Sequence, residues 1–167
     1  NQHNRILVSR AGAPARVVRA IMDHKSNVDV MRTGVGTLRA LSVEPEIQEI
    51  LSELNAKEWV AEGMAIHRSV ACIQRDGCAF LSNVTVDLDE HHVSVATEME
   101  VRTVVDALKA HQQEPSVITG ACFALKNYTS DTQNLRMLAS FPDAVELLEY
   151  AGQHSPEANS RIDAQTI

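Results

Sequence analysis

Residues 33–41 read TGVGTLRAL, residues 76–84 read DGCAFLSNV, and residues 120–128 read GACFALKNY. The three stretches recur with a period of about 43 residues, which lies in the range of helical repeat proteins. Each stretch holds a small residue followed four positions later by leucine, and these pairs are Gly34 and Leu38, Gly77 and Leu81, and Ala121 and Leu125. Apolar residues three to four positions apart are typical of one face of a helix. The recurring stretch therefore predicts one amphipathic helix in each repeat.

Histidine marks the same period at a second place in each repeat. The four histidines are His24, His67, His111 and His154, and a branched or small apolar pair precedes each one at a constant offset. A period of this length without strand-like alternation is typical of stacked helical modules, each too small to bury its own apolar face. We therefore predict an all-α fold, an α-solenoid built from three-helix repeats.

Four units account for the whole chain as a single array. Their approximate bounds are 1–44, 45–87, 88–131 and 132–167. In the first unit the apolar spacing and the turn residues predict helices near 4–10, 14–24 and 28–42. The first and last units are expected to be incomplete. A segment cut from a longer array is favoured over a stack that ends in a natural polar cap.

Proline placement supports the same division. The five prolines, at positions 14, 45, 115, 142 and 156, all fall at predicted helix starts or in turns. Proline is accepted in the first turn of a helix because no amide donor is needed there, whereas it disrupts a helix interior. Five placements that agree with one division of the chain favour that division.

Composition excludes several classes of function. The net charge of −7 disfavours a nucleic-acid partner, since affinity for phosphates depends on Lys and Arg. The three cysteines include no C-x-x-C pair, so neither a zinc site nor a disulfide framework is expected. No stretch approaches the ~20 apolar residues that span a bilayer, and no signal peptide is visible. We expect an intracellular protein, with the cytoplasm favoured over the nucleus or a cilium, and without membrane association, metal or cofactor.

The recurring stretches 33–41, 76–84 and 120–128 resemble the third helices of the armadillo-repeat family, in which a small residue is followed by Ala-Leu-x-Asn-Leu. Importin-α, β-catenin and many scaffold and cilium-associated proteins belong to this family. The resemblance covers the whole chain and implies a right-handed superhelix. HEAT repeats are the nearest class with which the pattern could be confused, and the Gly-x-Pro and Gly–Leu–Asn spacings favour armadillo repeats.

The resemblance also implies an inner groove lined by the third helices. In several members of the family, asparagines there pair with the main chain of an extended peptide, because an amide side chain both donates and accepts. The equivalent positions here are Ala40, Asn83 and Asn127. One turn earlier on the same stripe lie Gly36, Ala79 and Phe123, and a further turn earlier lie Arg32, Arg75 and Thr119.

These residues imply a non-enzymatic module that binds an extended peptide or partner segment along the groove. Asn83 and Asn127 would address the peptide backbone, and Phe123 would offer an apolar face. Arg32 and Arg75 would attract acidic side chains, so the expected partner is neutral to acidic.

Two other functions remain open. The segment could be a structural spacer within a larger protein, such as a kinase or a cilium- or motor-associated factor. A nuclear transport adaptor is less favoured, because import receptors of the family place Trp where this chain has Gly36, Ala79 and Phe123. Self-association through exposed terminal repeats is also expected.

Several residues that could suggest chemistry have simpler interpretations. Histidines one repeat apart lie too far from each other to share a metal ion, whereas a histidine near a helix C-terminus can bond free carbonyls. Cys78 and Cys122 occupy equivalent positions and are predicted to pack in the core. Trp59 is expected either to cover a junction between units or to anchor a partner. Since no catalytic arrangement occurs at a credible spacing, no enzymatic activity is predicted.

Overall fold

The computed structural model describes residues 2–85 and 95–154, and within these ranges the chain forms helices and turns but no strand. The helices are α1 (Gln2–Arg10), α2 (Ala13–Asp23), α3 (Val28–Leu41), α4 (Pro45–Glu53), α5 (Ala56–Ile66), α6 (Ala71–Thr85), α7 (Glu98–Ala110), α8 (Pro115–Thr129), α9 (Thr132–Ala139) and α10 (Ala144–His154). The all-α prediction is therefore confirmed over the described residues. No described helix combines the length and apolar character needed to cross a membrane.

The helix starts follow the local signals in the sequence. Pro14, Pro45 and Pro115 occupy the first turns of α2, α4 and α8. Asn27 caps α3, since its Oδ1 accepts hydrogen bonds from two backbone N–H groups of the first turn, at 3.0 and 3.1 Å. Asp131 caps α9 in the same way. Side-chain caps satisfy donors that the helix itself leaves free, which fixes where each helix begins.

Three helices fall within each of the first two predicted units. Helices α1 to α3 fall within the predicted unit 1–44, and α4 to α6 fall within 45–87. In the third unit only α7 and α8 are described, and Val95–Thr97 are not helical. The sequence also predicts a first helix in that unit, beginning near His91 and His92 and carrying Val95, and a last helix near 159–166. Residues 86–94 and 155–167 lie outside the described residues, and Val95, which is described, is not helical.

Helices at equivalent places in successive units pack against each other. The third helices contact in the order α3, α6 and α8, while the second helices contact in the order α2, α5 and α7. A Cβ placed on Gly120 of α8 would lie 3.3 Å from the backbone oxygen of Arg75 in α6, so these two helices approach closely. The apolar core runs without interruption from α2 to α10.

The small residue that recurs in each third helix makes room for the second helix of the same unit. A Cβ on Gly34 would lie 2.8 Å from Cγ1 of Ile21, and a Cβ on Gly77 would lie 2.3 Å from Sδ of Met64. Real Cβ atoms do not approach that closely, so the larger partner occupies the space that glycine leaves. In the third unit Ala121 takes this position and is fully buried.

The periodic histidines join successive units. The ring Nε2 of His67 lies 2.8 Å from the backbone oxygen of Lys25, and that of His111 lies 2.7 Å from the backbone oxygen of Arg68. Lys25 and Arg68 each follow the histidine of the preceding unit. Since a carbonyl oxygen can only accept, each ring donates an N–H to it. The structural interpretation is confirmed for His67 and His111, and we call this contact the histidine joint.

Ion pairs reinforce the histidine joint with the same residues. Nζ of Lys25 lies 2.7 Å from Oε2 of Glu62, and Nη2 of Arg68 lies 3.2 Å from Oδ2 of Asp106. Glu62 and Asp106 occupy equivalent positions, five residues before His67 and His111. At each of these two junctions, one residue, Lys25 or Arg68, offers its backbone carbonyl to the histidine and its side chain to the carboxylate of the next unit.

The junction between the third and fourth units uses a different donor. Oη of Tyr150 donates a 3.0 Å hydrogen bond to the backbone oxygen of Gln112. Gln112 follows His111 and so corresponds to Lys25 and Arg68. The accepting carbonyl therefore recurs at all three junctions, although the donor changes.

Trp59 lies at the junction between the first two units. Its ring packs against the core and is half-buried, and Nζ of Lys25 lies 5.7 Å from the ring centroid. Of the two predicted roles for Trp59, covering a junction is the one that this contact supports.

Glu100 is buried beneath the second unit. Its Oε2 lies 3.6 Å from Nζ of Lys57 and, among the described residues, accepts no hydrogen bond. Burial raises the pKa of Glu100, while Lys57 and Thr97 act in the opposite direction. The hydroxyl of Tyr128 is buried too, and burial followed by the charge of Glu100 raises its pKa.

Replacing His67 by alanine is expected to lower the free energy of unfolding by about 1 kcal/mol, because the Lys25 carbonyl loses its donor. The matched control is His24→Ala, at the equivalent position of the first unit, where the side chain is exposed. There we expect a change within about 0.5 kcal/mol. Urea denaturation followed by circular dichroism measures both, and equal losses would show that the joint adds nothing to stability.

The free energy of unfolding of the Glu100→Gln variant is expected to rise relative to that of the wild type as pH rises. Because the pKa of Glu100 in the folded protein lies above its unfolded value of about 4.3, the protonated side chain stabilises the folded state. This stabilisation is complete at pH values below the unfolded pKa. This contribution is lost as pH rises through the folded pKa of Glu100. Thermal unfolding of both proteins from mildly acidic to neutral pH measures the difference, and a difference independent of pH would contradict the buried-carboxylate interpretation.

Candidate partner-binding surface

The residues predicted to contact a partner lie on three helices that pack in succession. Helix α3 carries Arg32, helix α6 carries Arg75 and Asn83, and helix α8 carries Thr119, Phe123 and Asn127. We call this set the third-helix surface. Arg32 and Arg75 are exposed, and the other four residues are half-buried.

The two asparagines bridge neighbouring third helices. Nδ2 of Asn83 donates a 2.9 Å hydrogen bond to Oγ of Ser42, at the end of α3. Nδ2 of Asn127 donates to the backbone oxygen of Ser82 in α6, at 2.8 Å, and lies 3.2 Å from its Oγ. The sequence predicted that both amides point away from the core. They are instead held against the preceding unit through their N–H groups, and the carbonyl oxygen of each amide takes no part in these bonds.

Arg75 belongs to a cluster of three charged side chains. Its Nε lies 2.9 Å from Oδ1 of Asp76, and its Nη2 lies 3.0 Å from Oδ2, which is a two-point contact. Nε of Arg39, on α3, lies 3.1 Å from Oδ1 of the same carboxylate. Only 9% of the Asp76 side chain is exposed, whereas 47% of Arg39 and 45% of Arg75 are exposed. The hydrogen bond to Asp76 raises the pKa of Arg75.

Sequence reasoning missed Arg39 and Asp76 because it followed a single stripe of each helix. Both residues lie one position away from that stripe, next to Ala40 and Arg75. The sequence signal that could have identified this cluster is Asp76, a carboxylate at the start of the largely small and apolar stretch 76–84. Gly36 also contributes, since a Cβ there would lie 3.3 Å from Oδ2 of Asp76.

Arg32 is paired separately. Its Nη2 lies 2.7 Å from Oδ1 of Asp29 on the same helix, and both side chains are well exposed. The structure therefore does not bring Arg32 into the cluster around Asp76. Its charge is balanced locally by a solvent-exposed partner, and such pairs contribute little energy.

The aromatic and hydroxyl positions on α8 are only partly covered. Phe123 and Thr119 are half-buried, next to fully buried neighbours such as Cys122 and Ile118. A partly exposed ring beside a helix seam can pack against an apolar side chain of a partner. The predicted role of Phe123 is compatible with this placement and stays a prediction.

The two equivalent cysteines of the third helices, Cys78 and Cys122, are buried. Burial raises the pKa of Cys78 to about 12, with Cys122 as a second cause, and burial raises the pKa of Cys122 to about 11. Both thiols therefore stay protonated at neutral pH, and their predicted packing in the core is confirmed. Within residues 2–85 and 95–154, no group of three or more His, Cys, Asp or Glu side chains could hold a metal ion.

Comparison with known proteins shows a weak and partial similarity. The chain is 26% identical over 129 residues to Protein aardvark of Dictyostelium discoideum, a match that covers 70% of this chain and 17% of that protein. No family model matches the chain. No solved structure matches it at a significant level. Since the chain spans 17% of that relative, any activity of the whole protein remains a matter for proposal.

Replacing Asp76 by asparagine is expected to lower the free energy of unfolding by about 1–3 kcal/mol, because two arginines lose a shared buried carboxylate. The matched control is Asp23→Asn, which removes an exposed partner of Arg19 on α2. That pair should contribute less than about 0.5 kcal/mol. Denaturant unfolding measures both, and similar small losses would mean that Asp76 does not fasten α3 to α6.

Proposed function

We propose that the chain forms an armadillo-type, right-handed α-solenoid that binds an extended peptide along its third-helix surface. Three features support this proposal: the repeat period, the serial packing of equivalent helices, and the histidine joint that recurs between units. In repeat proteins of this kind each module contacts only its neighbours, which leaves a long continuous surface for a partner. The proposed role is non-enzymatic.

The observation that carries the proposal is the equivalent placement of Asn83 and Asn127. Each amide is fixed by a hydrogen bond to the preceding third helix, and its carbonyl oxygen takes no part in that bond. Fixed side chains lose little conformational entropy when a ligand binds. Repeated amides at one-unit intervals can therefore bond the main chain of an extended peptide without regard to its sequence.

The chemistry of the surface favours a neutral to acidic peptide. The side chains of Arg39 and Arg75 are about half exposed, while the carboxylate that they share is buried. Phe123 would contact an apolar side chain of the peptide, and Thr119 would lie at the border of that contact. A basic peptide of the kind recognised by transport adaptors would be repelled by the arginines.

A structural spacer is the second candidate function. On α1, half of the Leu7 side chain and 46% of Val8 are exposed, and His24 is exposed at the position used elsewhere for the histidine joint. A face with these features could stack against another helical repeat, either of a larger protein or of a second copy. In that case the third-helix surface would have no ligand.

Asn83→Ala is expected to lower both the free energy of unfolding, by about 1 kcal/mol, and the affinity for an extended peptide by a similar amount. Ser42→Ala is the matched control, because it removes the partner of the Asn83 amide and leaves the amide in place. Its stability should fall comparably, while its affinity should fall less than that of Asn83→Ala, because the amide is freed but still present. The probe is a peptide selected on the wild-type protein from a random display library, and fluorescence anisotropy measures binding.

Two outcomes would contradict the proposed function. A selection that yields no peptide above background would leave the third-helix surface without a ligand and would favour the spacer. Equal affinity losses in the Asn83 and Ser42 variants would show that the amide acts through stability alone and does not contact the peptide.

A further inference from the structure

The charge balance around Asp76 differs from that of the other arginine pairs. Two arginines, Arg39 and Arg75, share one carboxylate, so the cluster carries a surplus positive charge. Three other arginines, Arg19, Arg32 and Arg102, each pair one to one with an exposed carboxylate on their own helix. In the cluster between α3 and α6, by contrast, two guanidinium groups share a single carboxylate.

Asp76 occupies only some of the hydrogen-bond donors of the two guanidinium groups. An arginine has five N–H donors in a planar fork. Arg75 directs Nε and Nη2 at Asp76, and Arg39 directs its Nε at the same carboxylate. Since both side chains are about half exposed and Asp76 is 9% exposed, an approaching anion would meet donors before it met the carboxylate.

We propose that Arg39, Asp76 and Arg75 form a binding site for an anionic side chain of the partner peptide. The inference rests on the proposed function, which it makes more specific. The shared chemistry is a group with two or more anionic oxygens, either a carboxylate from Glu or Asp or the phosphate of a phosphorylated residue. Such groups accept paired hydrogen bonds from the arginine fork.

Asp76 acts as a positioning residue in this site. Its buried carboxylate holds the two guanidinium groups in fixed directions, so less side-chain entropy is lost when an anion binds. Gly36 leaves the space into which the carboxylate projects, since a Cβ there would lie 3.3 Å from Oδ2. The cluster thus holds its guanidinium groups in fixed directions and still carries a net positive charge.

The test uses three short acetylated peptides that differ only at a central residue, which is Glu, phosphoserine or Gln. Two-dimensional NMR of the arginine Nε–Hε groups reports binding at each side chain of the wild-type protein. The signals of Arg39 and Arg75 should shift with the Glu and phosphoserine peptides and stay in place with Gln. Arg102, a half-exposed arginine paired with Glu98 on α7, is the internal control and should not shift.

A neutral version of the site provides the second measurement. The triple variant Arg39→Gln, Arg75→Gln and Asp76→Asn removes all three charges and so leaves no buried carboxylate without a partner. We expect the wild type to prefer the better anionic peptide over Gln by about tenfold, because charge-assisted paired bonds are the strong ones. In the triple variant the preference should fall to about one, whereas Arg102→Gln should retain it.

The outcomes separate the two proposals. Shifts confined to the phosphoserine peptide would assign the site to phosphate, and shifts with Glu would assign it to a carboxylate. Shifts equal to those of Arg102, or a preference that survives in the triple variant, would overturn the anion site. Peptide selection could still succeed in that case with neutral sequences, so failure of the site would leave the proposed function standing.

Discussion

The hydrogen bonds from the His67 and His111 rings to backbone carbonyls of the preceding helices are the contacts that align the first three predicted units. The helices of the predicted units, from α2 to α10, share one apolar core, so they cover each other's apolar faces. Hydrophobic contact is not directional, so it does not fix how one unit is rotated against the next. The bonds from His67 to Lys25 and from His111 to Arg68 are directional, and the ion pairs made by Lys25 and Arg68 strengthen the same alignment.

The surface offered to a partner is built from the seams between units. Asn83, Asn127 and Asp76 each contact the neighbouring third helix, so a change at any of them acts on both packing and recognition. Close approach of α6 and α8 depends on Gly120, which has no side chain to separate the helices. Stability and binding are therefore coupled on this surface. Each affinity measurement on a variant needs a matched control variant that changes the packing but leaves the proposed contact with the peptide in place.

Much of the fold could be predicted from the sequence, because the signals are local and repeated. The starts of α2, α4 and α8 follow from prolines, and the burial of Cys78 and Cys122 follows from their position beside small residues. The candidate site could be predicted only in part. Helical spacing located the stripe that holds Asn83 and Asn127, but it could not reveal that both amides are tied to the preceding unit. It also missed Arg39, whose importance comes from a carboxylate on another helix.

The sequence by itself determined the helices, their order and the residues that face inward, since helix formation and apolar periodicity depend on neighbours a few positions away. Only the tertiary structure decided which side chains meet across units. Arg39 and Asp76 lie on different helices, and so do Ser42 and Asn83. Such pairs form because helices pack at particular distances and angles. The periodic pattern of the sequence shows which face of a helix is buried, but it does not show which residues of two neighbouring repeats come into contact.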